Sequence, residues 1–104
     1  ASVASGLDRD QIAEVIQRNI GQVRFCYEQG LQSNPALSGR IAMDFVINKG
    51  GQVSMANIAN STINNKLVED CLTMRLKSWK FPLPQGGVDV KVTYPFVLRR
   101  TGQG

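Results

Sequence analysis

The stretch G-R-I-A-M-D-F-V-I-N-K-G-G-Q-V, from Gly39 to Val53, decides the predicted fold. Apolar residues at positions 41, 43, 45 and 47 alternate with mixed ones, which is the period-two pattern of a strand with one buried face. Asn48-Lys49-Gly50-Gly51 follows, and its asparagine and glycines supply the positive-φ conformations that a tight hairpin needs. A return strand begins at Val53, so the stretch predicts the central hairpin of a small α+β domain.

The return strand is predicted from about Gln52 to Asn60. Val53 and Met55 share one face of this strand, whereas Ile58 falls on the other. A bulge near Ala56-Asn57 reconciles the two faces, because a bulge inserts one extra residue and turns the later side chains over.

A helix is predicted before this hairpin and another after it. Asp8 to Gln32 has helical spacing, with Asp8 and Gln11 placed as a capping box. Asn64 to Lys80 has the same kind of spacing, with Asn64 or Asn65 as its cap and prolines after its end. The apolar arcs are Ile12, Val15, Ile16, Ile20, Val23, Cys26, Tyr27 and Leu31 in the first helix, and Leu67, Val68, Cys71, Leu72, Met74 and Trp79 in the second.

The last strand, predicted from Val88 to Leu98, has the clearest period-two pattern in the chain. Pro95 lacks an amide hydrogen, so this strand should lie at a sheet edge or carry a bulge there. The predicted fold is therefore α+β: a three-stranded antiparallel sheet with two helices on one face. The order is helix, strand, strand, helix, strand, with the first strand in the middle. The side chains expected to face the core are Val88, Val90, Val92, Tyr94, Phe96 and Leu98.

Length and composition indicate one domain. The chain has 104 residues and 42% hydrophobic residues, with no window near the roughly 18 apolar residues of a membrane span. It begins A-S-V-A-S-G without a signal-peptide pattern, so we expect a fragment of a longer protein. In this interpretation residues 1–6 are a linker, residues 7–100 the domain and residues 101–104 a flexible tail.

The basic charge leaves nucleic-acid binding as an alternative function. Net charge is +4 with a pI near 9.4, but the basic residues are scattered apart from two groups, Arg75-Lys77-Lys80 and Arg99-Arg100. A nucleic-acid binder would present aromatic rings among clustered charges. Phe45, Tyr94 and Phe96 are all assigned to the core instead, which favours a solvated basic surface and no nucleic-acid partner.

The sequence contains no recognisable pattern of a catalytic or metal-binding site. The absence of histidine removes the commonest general base and the commonest metal ligand. We therefore expect no enzyme activity, no cofactor and no metal site, because no nucleophile–base pair or phosphate loop is present. The acidic residues are dispersed along the chain, at Glu28, Asp44, Glu69, Asp70 and Asp89 among others.

The two cysteines, Cys26 and Cys71, both lie within the apolar arcs of the helices. If both helices cover the same sheet face, the sulfurs approach bonding distance. A disulfide closing a loop of about 46 residues would contribute about 4 kcal/mol in the chain-entropy model. A persistent disulfide implies an oxidising compartment, whereas two reduced core thiols would suit the cytosol; the pattern favours the bond and leaves both open.

Several short patterns together resemble the AgmX/PglI-type C-terminal domain, a relative of the TonB C-terminal domain found in myxobacterial gliding-motility proteins. The resemblance covers about Leu7 to Arg100. It rests on an ordered set: Cys26-Tyr27-Glu28, Asn34-Pro35 with Leu37 and Gly39, the hairpin through Gly51 and Val53, Ser61-Thr62, Cys71, Trp79-Lys80-Phe81-Pro82 and Tyr94-Pro95-Phe96.

The resemblance implies a periplasmic module of an inner-membrane protein that grips a periplasmic or outer-membrane protein of the same machinery. The grip is strand addition to the exposed edge of the last strand, and the membrane is reached only through an upstream part of the chain. Pairing of the same edge with a second copy is the alternative. Pro95 removes one donor if its amide would point outward, and Arg99-Arg100 would attract an acidic flank or be solvated. The implied partner-binding residues are Val88, Val90, Lys91, Val92, Thr93, Tyr94 and Val97.

Overall fold

The structure, a computed structural model, describes residues 6–100 together with the backbone of Ser2 and Val3. Its four strands form one antiparallel sheet in the order β1-β4-β2-β3. The predicted three-stranded sheet with β2 in the middle is confirmed, and the short β1 is added outside β4. The elements are β1 Ser2–Val3, α1 Arg9–Arg18, α2 Ile20–Ser33, β2 Gly39–Ile47, β3 Val53–Ser61, α3 Lys66–Lys77, a 3-10 turn Gln85–Gly87 and β4 Val90–Leu98.

The core lies between one face of the sheet and the helices. The apolar positions of β2 that alternate in the sequence are 0–1% exposed and belong to the same buried cluster as the inward residues of the helices. Period-two alternation therefore located the buried sheet face correctly. The largest buried side chains are Phe45, Ile41, Met43 and Ile47 of β2, Ile12 and Ile16 of α1, Val68, Leu72 and Leu76 of α3, and Val90 of β4.

The predicted long first helix is broken at Asn19 into α1 and α2. The Asn19 side-chain amide donates a hydrogen bond to the Val15 carbonyl at 2.8 Å, while its backbone leaves the helical region at φ −108° and ψ 13°. An asparagine that bonds the preceding turn competes with the backbone for that carbonyl, which explains the interruption. The apolar stripe continues across the break, so both segments still face the core.

The irregularity of β3 differs from the prediction. Two extra residues, Ser54 and Ala59, interrupt its pairing with β2, instead of one bulge near Ala56-Asn57. Because the first extra residue precedes Met55, that side chain turns away from the core and is 48% exposed, in contrast to Val53.

The last helix is shorter than predicted, and its buried face is narrower. Asn65 caps it by accepting a hydrogen bond from the Val68 amide at 3.1 Å. Its core contacts come from positions 68, 72 and 76, which share one side at a spacing of four. Leu67 and Met74 were assigned to this face but lie beside it, 54% and 73% exposed.

The predicted disulfide is confirmed. Cys26 of α2 and Cys71 of α3 are bonded with their Cα atoms 5.5 Å apart, so the bond joins the two helices above the sheet. Cys26 is 1% exposed, which places the bond at the edge of the core. Among the described residues, none of the helices has the length and apolar character needed to cross a bilayer.

Candidate functional site

Strand β4 is fixed by pairing with β2 along one edge and by burial of one face in the core. It pairs with β2 over nine consecutive residues, from Val90 opposite Ile47 to Leu98 opposite Gly39, without any shift in register. Four of its side chains are also buried in the core cluster. The strand is therefore fixed in the sheet and in the core, and its second edge is the one predicted to bind a partner. The four buried side chains are Val90, Val92, Phe96 and Leu98.

The backbone direction of β2 shows which groups of β4 point outward. The Arg40 carbonyl accepts from Thr62, and the Asn48 amide donates to Gln52, so even-numbered residues of β2 direct their groups toward β3. Backbone groups alternate in direction along a regular strand, so odd-numbered residues of β2 bond to β4. Their partners in β4 are even-numbered, as in Met43 opposite Tyr94.

The odd-numbered residues of β4 consequently carry the outward groups. Lys91, Thr93 and Val97 each present an N–H and a carbonyl to the edge. Pro95 also faces outward, and it presents only a carbonyl because it has no N–H. The question that the sequence left open is thus answered: the proline interrupts the outer row of donors, not the ladder with β2.

Strand β1 occupies the middle of this edge. Ser2 lies opposite Thr93 and Val3 opposite Val92, in antiparallel orientation. The expectation of a wholly unpaired outer edge is therefore wrong for this short segment. Among the described residues, no strand pairs alongside the part of β4 from Pro95 to Leu98.

Gly6 and Leu7 bring the N-terminal segment to this edge. The Gly6 carbonyl accepts from the Gln85 amide at 2.8 Å, and Leu7 is buried. At φ +119° Gly6 has a conformation that other residues rarely adopt, and a Cβ there would lie 2.8 Å from Cγ2 of Val90. The chain thus enters the domain beside the start of β4, which sequence patterns did not reveal.

The side chains predicted to bind a partner divide between the two faces of β4. Those of Lys91, Thr93 and Val97 are exposed on the face opposite the helices, where the Thr93 hydroxyl donates to Asp44 Oδ1 at 2.6 Å. Val90 and Val92 point into the core, and Tyr94 is half-buried. Val88 precedes β4, since the strand begins at Val90 and not at Val88 as predicted.

The late start of β4 has a local cause. Gly86 and Gly87 adopt φ values of +82° and +61° in the preceding turn, and Val88 directly after it is 44% exposed. Val88 therefore belongs to the approach to β4, outside the paired strand.

A group of arginines lies where β4 ends. Arg99 and Arg100 follow the strand and line a cleft together with Arg24 and Tyr27 of α2. The remaining wall of this arginine cleft includes Glu28. Arg24 was not anticipated as a member, because only the packing of α2 against the end of β4 brings it there.

Tyr27 is the buried base of the arginine cleft. Its hydroxyl donates a hydrogen bond to the Leu37 carbonyl, and its ring is 4% exposed. Burial raises the pKa of Tyr27 above its ordinary value of 10.0, and the positive charge of Arg100 opposes this increase in pKa. The phenol is consequently neutral at neutral pH and adds no negative charge to the cleft.

An exposed apolar groove lies between α2 and α3. Phe25 of α2 faces Leu67 and Met74 of α3 across a groove beside the disulfide. The Arg75 guanidinium carbon lies 5.1 Å from the centre of the Phe25 ring, which agrees with an arginine whose stem packs while its charge reaches the surface.

The described surface is distinguished by a strand edge and a basic cleft. No cluster of three or more His, Cys, Asp or Glu side chains that could hold a metal ion occurs within residues 6–100. What the molecule presents instead is a regular strand edge with outward backbone groups and a basic cleft at one end.

Two solved structures match the chain. The solution NMR structure of the Pseudomonas aeruginosa TonB C-terminal domain aligns with a TM-score of 0.57 and 19% identity, over 73% of this chain and 78% of that one. The Helicobacter pylori TonB C-terminal domain aligns with a TM-score of 0.47 and 17% identity, over 93% and 99%. No protein-family model and no curated protein matches the chain. The first similarity shows that this chain has the fold of a TonB C-terminal domain.

Proposed function

We propose that this domain is a protein-binding module that holds an extended segment of its partner by strand addition to the outer edge of β4. The single observation that carries the proposal is the row of outward backbone groups at Lys91, Thr93 and Val97 on a strand fixed in the core. Unpaired edge groups are a template for another extended chain, and backbone pairing supplies affinity with little demand on sequence.

The partner segment has two places to pair. One is the open stretch from Pro95 to Leu98, and the other is the position that β1 occupies at Val92 and Thr93. A partner longer than about three residues takes over the place of β1, because adjacent strands lie about 4.8 Å apart and two cannot share one edge position.

The setting that we propose is the periplasm, in a protein anchored in the inner membrane through an upstream part of its chain. The Cys26–Cys71 disulfide supports an oxidising compartment. The fold shared with a TonB C-terminal domain supports an energy-transducing or gliding-motility machine, with a periplasmic or outer-membrane protein as partner. We further propose, from the sequence patterns, that the domain is of the AgmX/PglI type, with residues 7–100 as the domain and residues 1–6 as a linker.

A strand edge suits a module that transmits force. Hydrogen bonds spaced along β4 share a load applied along the strand, and the nine-residue ladder with β2 passes it into the sheet. The disulfide between α2 and α3 keeps the helices together while the sheet is loaded. The proposed activity is therefore mechanical binding and not catalysis.

A proline substitution tests strand addition directly. Val97→Pro removes an outward N–H and leaves the ladder with β2 intact, because the even-numbered residues make that ladder. We expect it to abolish binding along the second half of β4, whereas Val97→Ala, which keeps the N–H, binds normally. The measurement is an amide-shift titration with candidate partner peptides, and undiminished binding of Val97→Pro would overturn the proposal.

Self-pairing is a second candidate, favoured by the same open edge and by the exposed Val97 on it. Two copies would pair β4 with β4 in a continuous sheet. Sedimentation over a concentration series tests this candidate: a dimer lost in Val97→Pro indicates self-pairing, and a monomer at all concentrations excludes it.

Nucleic-acid binding has less support. Phe45 and Phe96 are buried, and Tyr94 is half-buried against Phe96 with ring centres 5.0 Å apart. In residues 6–100 the exposed face of the sheet thus presents no aromatic ring for a base to stack on. We propose that no nucleic acid is a partner of this domain.

A further inference from the structure

We infer that the arginine cleft at the end of β4 binds carboxylates of the partner segment, just beyond the residues that pair with the strand, and thereby sets the register of pairing. This inference rests on the proposed strand addition. It adds the chemistry of the partner: an extended peptide with an acidic flank.

Backbone pairing at the edge of β4 does not by itself select one register of the partner. Backbone pairing is the same after a slip of two residues, so the row of outward groups on β4 does not specify where a partner begins. The side chains of Lys91, Thr93 and Val97 are exposed on the face of the sheet, directed away from the edge where a partner strand would pair. A charged contact beyond the end of the strand favours the one register that brings an acidic residue of the partner to it.

The charges at the two ends of β4 differ. Asp89 directly precedes the strand, whereas Arg99 and Arg100 directly follow it. The packing of α2 adds Arg24 to the second end, so among the described residues three guanidinium groups and the carboxylate of Glu28 line the cleft there. The positive charges of Arg99 and Arg100, both exposed, attract an acidic flank to this end.

The cleft also has the chemistry of a carboxylate site. Guanidinium groups bind carboxylates through paired N–H donors, which is stronger and more directional than the contact made by a lysine. Tyr27 forms the floor as a neutral phenol whose hydroxyl is already bonded to the Leu37 carbonyl, so it neither competes for the arginines nor repels an anion. Leu98, buried in the core, keeps the backbone before Arg99 in place.

The reach is short. A partner strand advances about 3.3 Å per residue, so a residue two positions beyond the one beside Val97 lies beside Arg99. An antiparallel partner, oriented as β1 is, brings its N-terminal flank to the cleft, and a parallel partner brings its C-terminal flank.

The test uses three peptides with one pairing sequence, Thr-Val-Thr-Val-Thr. One carries Asp-Asp before it, one carries Asp-Asp after it, and the third carries Asn-Asn at both ends. We expect one of the two acidic peptides to bind the domain about three- to tenfold more tightly than the Asn peptide at low salt, which is the range for two exposed ion pairs. This gain should disappear at about 0.5 M salt, where charges are screened within a few ångströms.

Two double variants of equal net charge complete the design. Arg99→Gln with Arg100→Gln should abolish the gain, whereas Lys77→Gln with Lys80→Gln, at exposed positions of the chain remote from the cleft, should retain it. Equal binding of the acidic and Asn peptides would overturn the inference, and so would an equal loss in both double variants, which would indicate general charge attraction.

The outcomes separate this inference from the proposed function. If the Asn peptide shifts the amides of β4 but aspartates add nothing, strand addition stands and the carboxylate site fails. If acidic peptides shift Arg99 and Arg100 without any shift along β4, the link between the two is refuted. If none of the peptides shifts β4, strand addition fails and this inference fails with it.

Discussion

Strand β3 forms one edge of the sheet, and β4, with the short β1 beside it, forms the other. The pairing of β3 is interrupted by two extra residues, at Ser54 and Ala59, whereas β4 pairs over nine residues without interruption. The start of β3 is also closed, since the Phe81 amide donates to the Gly51 carbonyl at 2.8 Å. A bulged, partly closed edge is a poor template for another strand, and a regular one is a good template. Regularity thus distinguishes the edge that we propose as the binding site from the opposite edge of the sheet.

The largest expected effect on stability comes from removing the disulfide between the two helices that pack on the sheet. Replacing Cys26 and Cys71 by serine should lower the free energy of unfolding by about 4 kcal/mol, because the unfolded chain is no longer constrained by a loop with a sequence separation of 45. Urea denaturation of the oxidised protein and of the double variant measures the difference. An unchanged midpoint would show that the disulfide does not stabilise this domain.

The next effect tests which residues of β4 face outward. Val92→Pro should lower the free energy of unfolding by about 2–3 kcal/mol, because it removes the donor to β2 and leaves the opposite carbonyl of Phe45 unpaired in the core. Val97→Pro should change the free energy of unfolding by less than about 1 kcal/mol, since the Val97 N–H faces the open edge. Equal losses in thermal denaturation of the two variants would contradict the assignment.

A glycine pair tests the closed start of the β3 edge. Gly51 has φ +80°, and a Cβ there would meet the Phe81 carbonyl, so Gly51→Ala should cost about 2 kcal/mol. The matched control is Gly50→Ala, whose Cβ would approach only Asn48 Oδ1, at 3.4 Å. We expect the control to change stability little, and amide exchange at Phe81 should accelerate in Gly51→Ala alone. If both variants lose the same stability, the contact with Phe81 is not what requires a glycine.

The smallest effect concerns β1. Deleting residues 1–5 removes the pairing of Ser2 and Val3 with β4, so a peptide that uses this edge should bind about threefold more tightly, the equivalent of about one modest hydrogen bond. Titration of the intact and shortened chains with the same peptide measures it. Weaker binding after the deletion would indicate instead that β1 is part of the site.

The two edges of the sheet differ in how far the sequence predicts them, for a physical reason. The faces of β4 follow from strict alternation, so the burial of Val90, Val92, Phe96 and Leu98 was predictable. The two extra residues of β3 were placed wrongly, because a bulge depends on which residues of the neighbouring strand it must oppose. The exposure of Leu67 and Met74 was missed similarly, since helical spacing indicates an apolar side but not how wide a strip the sheet covers.

The sequence by itself determined the hairpin, the helix–strand–strand–helix–strand order and the buried faces of β2 and β4, and it favoured a bond between the two cysteines. All of these follow from local periodicity, turn residues and residue counts. Only the tertiary structure decided that Pro95 faces the outer edge, that Ser2–Val3 lies beside β4 and that Arg24 joins Arg99 and Arg100. Periodicity encodes which face of a strand is buried, whereas lateral neighbours and the ends of elements meet only when distant segments pack together.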